Sequence, residues 1–328
     1  MVFKKIIALP ILAALTAGSL SACTPKTDDL TQINVACFPN LTHAQALVMK
    51  DQGSLEKAYG DGVKVNWVTF NAGPEEIEAL FAGSVDIGYI GPVPAVSGYI
   101  QSSGDLQIIA GAANGGAELL ARADSGITSA ADLAGKTVAI PSFGNTQHLS
   151  LLAMLSANGL APTTSGGTVN VVPASNADVA NLMDQKNIDA ALVPEPWGTI
   201  LENGGANVVL DYDQVDPNGI PATTVVIVRK DFLDAHPDAV QKFIDAHKAA
   251  TDYINANPAD AMAAVNNQLN LLTGKPIDTA VLSKAFSRMQ IVSDIPTQSV
   301  MSFAQTSLDQ QLIAKMPDDN LINDKYVK

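Results

Sequence analysis

The stretch Val68–Val96, VTFNAGPEEIEALFAGSVDIGYIGPVPAV, reads as strand, Gly-Pro loop, short helix, strand, Gly-Pro loop, helix. Both loops stand at the carboxyl end of a strand and close on a glycine followed by proline, Gly73-Pro74 and Gly91-Pro92. Proline suits the first turn of a helix because the N–H it lacks would have no intrahelical partner there, and its φ already fits. Ile77, Leu80 and Phe81 share one helix face, and Val93, Val96 and Ile100 share another. Two helix amino-termini are therefore predicted at the same edge of a parallel sheet. Open α/β sheets hold ligands at that edge, and helix amino-termini favour anions.

On the amino-terminal side, Ile33 to Phe38 reads as a first strand, turned by Pro39-Asn40-Leu41-Thr42-His43 into a helix that Asn40 or Thr42 can cap. Val63 to Phe70 is the second strand, Val85 to Ile90 the third and Leu106 to Ala112 the fourth, which ends in Asn114-Gly115-Gly116. This repetition predicts a parallel sheet. Ala117 to Arg122 reads as a strand leaving that lobe, after which the α/β pattern restarts around Thr137–Ile140, Val169–Val172 and Ile188–Val193. Thr223 to Val228 reads as the return crossing, followed by helices with Val240, Phe243, Ile244 and His247 on one face. The expected division is 32–118 plus 223–328 for one lobe and 119–222 for the other, with a cleft between them and two strand crossovers as the hinge.

The chain has 328 residues, 47% hydrophobic and 16% charged, enough for two lobes with a core each. Residues 1–22 carry Lys4-Lys5, an apolar run from Ile6 to Leu15 and small residues before Cys23, the pattern of a secretory signal. Leu20-Ser21-Ala22-Cys23 resembles the bacterial lipobox, which makes Cys23 the expected lipidation site and residues 23–31 a polar tether. Removal of the leader takes two lysines and no acids, so the formal charge goes from −14 to −16. Such a surface repels nucleic acid and anionic lipid, and neither is an expected partner. With Cys23 lipidated, Cys37 is left alone in an apolar run, where it reads as a small core residue.

Six runs taken together carry a family resemblance: PNLTHA (39–44), FNAGPEEIEALFAG (70–83), IGYIGPVPA (87–95), ITSAADLAGK (127–136), GNTQ (144–147) and VPEPW (193–197). In this order they resemble the substrate-binding proteins of aliphatic-sulfonate importers, within the taurine, nitrate and sulfonate group of ABC-transporter binding proteins. The resemblance implies an α/β, two-lobed periplasmic-binding-protein-like fold of type II, each lobe a mostly parallel sheet flanked by helices. It implies a monomeric, extracytoplasmic protein that traps a small organic anion and hands it to a membrane permease driven by an ATPase. It implies no enzyme activity, no cofactor and no metal. One departure lies near the end, where Arg288 and Val292-Ser293-Asp294-Ile295-Pro296 match the family pattern only in part, so Arg288 receives no ligand role.

If a sulfonate is bound, helices starting near Thr42, Pro74, Pro92 and Asn145 are expected to converge on it. Asn40, Thr42, Asn71, Asn145 and Thr146 are the expected side-chain donors, while Gly73, Gly91, Gly115 and Gly116 bring the backbone close. Phe70, Ala72 and Pro92 complete the loops, His43 stands in a cleft-facing first turn, and Trp197 can wall the cleft over an organic tail. The plainer reading is that these residues only cap helices, make turns or fill the core. Only three arginines exist, Arg122, Arg229 and Arg288, and none lies in a candidate loop. Glu75, Glu76 and Glu195 oppose an anion, so they are expected to face solvent unless the ligand also carries an amine, as taurine does.

Four histidines too scattered for a metal cluster, no Gly-x-Ser-x-Gly elbow and no phosphate-binding loop weigh against catalysis. Enzymes of thiamine-precursor synthesis share related folds and form the alternative of another class; a sensory or scaffold lipoprotein is a third.

Overall fold

A computed structural model describes residues 30–328. The expected leader, Cys23 and most of the tether fall outside the described residues. The chain begins with β1 (Gln32–Cys37), a 3₁₀ turn at Leu41–His43, α1 (Ala44–Gln52), α2 (Ser54–Tyr59), β2 (Lys64–Thr69), α3 (Gly73–Phe81), β3 (Ile87–Ile90) and α4 (Pro92–Ser102). Then come β4 (Leu106–Gly115), β5 (Ala117–Ala121), β6 (Thr137–Ile140), α5 (Thr146–Ala157), β7 (Asn170–Pro173), α6 (Val179–Asp184), β8 (Ala190–Pro194), α7 (Trp197–Asn203) and β9 (Asn207–Leu210). The last part holds β10 (Ala222–Arg229), α8 (Lys230–Ala235), α9 (Pro237–Ala256), α10 (Pro258–Thr273), α11 (Thr279–Ser287), β11 (Met289–Ile291) and α12 (Thr297–Asp309).

Two sheets form. The first has the order β11-β4-β10-β3-β1-β2 and the second β7-β6-β8-β5-β9. β1 to β4 all run one way, but β10 inserts antiparallel between β3 and β4, because it enters the first sheet from the side of the second. β5 does the same in the second sheet, antiparallel to β8 and β9. Each sheet is thus mixed, with most of its strands in one direction.

β4 is followed directly by β5, at the strand expected from Ala117, and the turn between them is Gly115-Gly116. Two of the sequence expectations change. All five residues of β5 pair in the second sheet, so a division between residues 118 and 119 cuts a strand. Phe81 is 40% exposed rather than buried with Ile77 and Leu80, because it sits at the last turn of α3, beyond the sheet.

Register sets the site. Cys37 pairs with Thr69 and Ala36 with Gly88, so β1, β2 and β3 deliver Asn40, Asn71 and Gly91 to one edge. In the second sheet, Ile140 pairs with Pro173 and Ala139 with Ala191, which brings Pro141, Asn176 and Pro194 to the facing edge. Apolar layers cover both faces of each sheet. In the first, His247 is fully buried, with Nε2 on the Gly111 carbonyl at 2.9 Å and Nδ1 on Tyr89 Oη at 2.7 Å. A donor at Nε2 and an acceptor at Nδ1 satisfy both partners, and burial pushes its pKa down to about 4. Cys37 is buried in the same layer, as its apolar run predicts.

Gly115 and Gly116 have φ of 71° and 69° in succession. A Cβ on Gly115 would lie 2.8 Å from the Arg288 carbonyl oxygen, and one on Gly116 would lie 2.5 Å from Met289 Cγ. The crossover therefore needs glycine for backbone and for space. Gly115→Ala is expected to lower stability by more than Gly83→Ala, whose φ is 73° in open space. The backbone cost of about 1–2 kcal/mol is common to both, and the excess at Gly115, read from urea midpoints, measures the crowding.

Candidate functional site

A small cavity of about 30 Å³ lies between the two sheet edges. Phe38, Asn40, Thr42, His43, Asn71, Gly91, Thr223 and Thr224 line it from the first sheet, and Pro141, Asn145, Thr146, Gln147, Asn176 and Pro194 from the second. Seven of these, Asn40, Thr42, His43, Asn71, Gly91, Asn145 and Thr146, are sequence-predicted site residues.

Asn40 caps the turn at Leu41–His43. Its Oδ1 accepts from Thr42 N at 3.0 Å and from Thr42 Oγ1 at 2.8 Å, and Thr224 Oγ1 donates to Thr42 Oγ1 at 2.8 Å. His43 is 2% exposed, stacks on Phe38 at 4.5 Å and accepts the Phe38 N–H at Nδ1, 3.1 Å away. That bond puts the proton on Nε2, and burial pushes the pKa down to about 3. His43 is consequently a neutral imidazole at any physiological pH.

The far wall closes on this one by side chains reaching helix amino-termini. Asn145 stands at the N-cap of α5 yet makes no cap bond there; its Oδ1 instead accepts Gly73 N of α3 at 2.9 Å. Thr146 Oγ1 accepts Val93 N of α4 at 3.5 Å. A Cβ on Gly91 would meet that same hydroxyl at 2.3 Å, so the close approach needs glycine. Val93, Leu149 and Phe303 form a small apolar cluster beside these bonds. On the other side, Leu41 N donates to the Glu195 carbonyl at 2.8 Å and Glu195 N to the Gly116 carbonyl at 2.9 Å.

Among the described residues that line the cavity none carries a formal charge at neutral pH. The three arginines are engaged elsewhere: Arg122 with Asp189 at 2.7 Å, Arg229 with Asp86 at 2.7 Å, and Arg288 with Glu202 at 2.9 Å. What the arrangement offers is a set of neutral amides and hydroxyls at convergent helix starts, suited to a small anion.

Residues 26–268 match the NMT1-like family, three quarters of the chain. The chain belongs to that family. A curated relative, the taurine-binding periplasmic protein of Escherichia coli, is 33% identical over 60% of this chain and 59% of its own length. The matched part of this NMT1-like chain thus spans about three fifths of that relative. A putative aliphatic sulfonates-binding protein of Bacillus subtilis is 24% identical over 97% of this chain and 92% of its own. The solved alkanesulfonate-binding protein SsuA of Xanthomonas axonopodis pv. citri, bound to MOPS, shares the fold at a TM-score of 0.73 and 21% identity, over 88% of this chain and 96% of that one.

The remaining sequence-predicted residues of this NMT1-like protein lie outside the cavity lining. Phe70 is half-buried against the first sheet, Ala72 and Pro92 are the buried starts of α3 and α4, and Gly73 is reached by Asn145. Gly115 and Gly116 form the crossover. Trp197 faces a different groove, between α7 and the α10–α11 connection. Glu195 and Glu76 are fully buried, which corrects the expectation that they face solvent; Glu75 is exposed. The Glu195 carboxylate is not part of the cavity lining. It accepts Thr199 N at 3.0 Å and Thr199 Oγ1 at 2.6 Å, and Arg288 Nη1 lies 3.3 Å away. Burial raises its pKa against the pull of these donors.

Glu118, on β5 beside it, has neither carboxyl oxygen bonded. Burial, then the neighbouring Glu195, pushes it up to about 10. Glu76, also without partners, is held well above the carboxylate range by burial. A Cβ on Gly88 would lie 1.8 Å from its Oε1, and one on Gly198 would lie 2.1 Å from Glu118 Oε2, so a glycine makes room for each acid.

The lining residues that sequence reasoning missed are Phe38, Pro141, Gln147, Asn176, Pro194, Thr223 and Thr224. Phe38, Pro141 and Pro194 directly follow or end strands, so strand ends held the signal. Thr223 and Thr224 carried none, since β-branched residues are ordinary in a strand.

A raised folded-state pKa gives an acid its stabilising effect below the unfolded value near 4.3, and the effect is lost as pH climbs toward the folded value. Stability is expected to fall between pH 5 and 8, by up to about 1.4 kcal/mol per pH unit for each such acid. Urea midpoints across that range should fall less steeply in Glu118→Gln than in the parent.

Proposed function

We propose that this chain captures a small sulfonate-type monoanion between its two lobes and delivers it to an ABC importer. It works outside the cytoplasm, as a monomer tethered to the membrane through lipid on Cys23. The relatives' names support the importer and the ligand class. The single observation that carries the reading is the uncharged cavity, in which amide and hydroxyl groups gather at helix starts and no carboxylate lines the wall.

A monoanion is matched by such a lining. Each helix amino-terminus contributes about 0.3–1 kcal/mol, and each charge-assisted hydrogen bond about 1.5–3 kcal/mol. Three or four of them reach micromolar affinity, about −8 kcal/mol, with no arginine. A dianion would need a cation that the lining lacks. Lobe closure follows the same logic. Asn145 and Thr146 hold Gly73 N and Val93 N, so a ligand oxygen competes with, or adds to, acceptors already reaching across from the second lobe.

Taurine or another zwitterion is the second reading, from the 33%-identical relative. It is disfavoured because its ammonium would find no carboxylate lining the cavity: Glu195 is held by Thr199 and Arg288, and Glu76 is fully buried outside the lining. The relatives compared are named as binding proteins, and the thiamine-precursor enzyme alternative finds no support among them.

Melting curves of the purified chain with methanesulfonate, ethanesulfonate, taurine, nitrate and a thiamine-type pyrimidine test this. A sulfonate at 100 times its Kd stabilises by about 2.7 kcal/mol, and the transition should rise by about 5 °C. Asn145→Ala should shrink that shift. A rise with nitrate or the pyrimidine alone, or with no compound, would overturn the reading.

A further inference from the structure

Arg288 takes no part in the cavity lining, yet it is only 6% exposed and stands where the two lobes meet. It follows α11 and leads into β11, which pairs with β4 of the first sheet. Its backbone is seated on the crossover, where Gly116 N donates to the Arg288 carbonyl at 2.9 Å. Its side chain reaches into the second lobe. Nη1 donates to Glu195 Oε1 at 3.3 Å and to Thr199 Oγ1 at 3.1 Å, Nη2 lies 2.9 Å from Glu202 Oε2, and Nε lies 3.3 Å from Asp211 Oδ1. These partners stand just before α7, on α7 and directly after β9. One turn earlier on α11, Lys284 Nζ pairs with Glu202 Oε1 at 2.6 Å, so two cations at one helix end face α7.

We propose that Arg288 is a positioning residue that fixes the angle between the lobes, and through it the wall that the second lobe presents to the ligand. The link to the site is Glu195. Its carboxylate is held by Arg288 and Thr199, while its backbone N–H donates to the Gly116 carbonyl at 2.9 Å and its carbonyl accepts Leu41 N at 2.8 Å. Leu41 opens the turn that carries Thr42 and His43, and Pro194, one residue before Glu195, lines the cavity. A shift of the guanidinium is therefore passed to both walls through one residue.

Charge and shape explain why this contact sets an angle rather than only adding stability. Desolvation of a guanidinium and several carboxylates is offset only where all the pairs form at once, so the cluster favours one geometry over its neighbours. The planar fork of arginine serves three acids in fixed directions, which the single ammonium of lysine does not. Because the cation and the acids lie on different lobes, rotation about the crossovers breaks the pairs together. The favoured angle is the one at which Asn145 and Thr146 also reach Gly73 and Val93. This role belongs to the two-lobed fold whatever anion the cavity takes; only the affinities below rest on the sulfonate reading.

Small-angle X-ray scattering and calorimetric titration with ethanesulfonate compare the purified chain with Arg288→Lys and with the double variant Glu202→Gln, Asp211→Asn. The double variant leaves Arg288 and Glu195 in place and alters acids whose side chains are 27% and 39% exposed, so it is expected to fold. Without ligand, both variants should have a larger radius of gyration than the parent at unchanged circular dichroism. Ethanesulfonate should bind them about 10-fold more weakly, and at saturation it should return them to the parent's radius. Variants that keep the parent's radius overturn the positioning role; a lowered affinity at that radius does so too, because the effect then does not pass through the lobe angle. A parent that binds no sulfonate overturns the sulfonate reading instead, and the scattering of the ligand-free chains still decides the role of Arg288.

Discussion

The structure depends on a constraint of charge placement. On a chain with a formal charge of −14, one small space is lined by uncharged residues alone, with helix starts at its edge. The uncharged lining is therefore an achievement of the fold as a whole. Strand ends bring α3, α4 and α5 to a common edge, and Asn145 and Thr146 bind helix starts on the opposite lobe rather than their own. The field at such helix starts is strong because water is largely excluded, and the same exclusion would make a misplaced carboxylate costly.

The acids nearest the site show how that cost is met. Glu195 is neutralised from behind by Arg288 and Thr199, with Glu202 and Asp211 on the same guanidinium. Arg288 stands beside β11 of the first lobe and its partners belong to the second, so the cluster also ties the lobes together near the Gly115-Gly116 crossover. Glu118 and Glu76 are handled differently: burial without partners keeps them protonated, and a glycine opposite each makes room. A neutral acid raises no field against an anion.

The proposed function rests on closure. The contacts that join the lobes surround the cavity, and the lobes connect through two segments, the glycine pair and the stretch leading into β10. Under the proposed function, ligand held by both halves shifts the balance toward a closed form that an importer distinguishes from an open one.

The repeated strand-helix pattern, the proline starts of α3 and α4, the burial of Cys37 and the placement of Asn40, Thr42, Asn71 and Asn145 in loops that follow strands were all determined locally, by periodicity and capping chemistry that a short window contains. The fate of Glu195 and Glu76 was not, because burial and the approach of Arg288 depend on residues up to 93 positions apart. Thr223 and Thr224 became site residues only when β10 returned antiparallel between β3 and β4, and Trp197 went to its groove only when α7 packed against α11. Local sequence determines where a helix starts and which dipole it offers. Only tertiary packing decides which side chains share a space, because that depends on contacts between segments far apart in the chain.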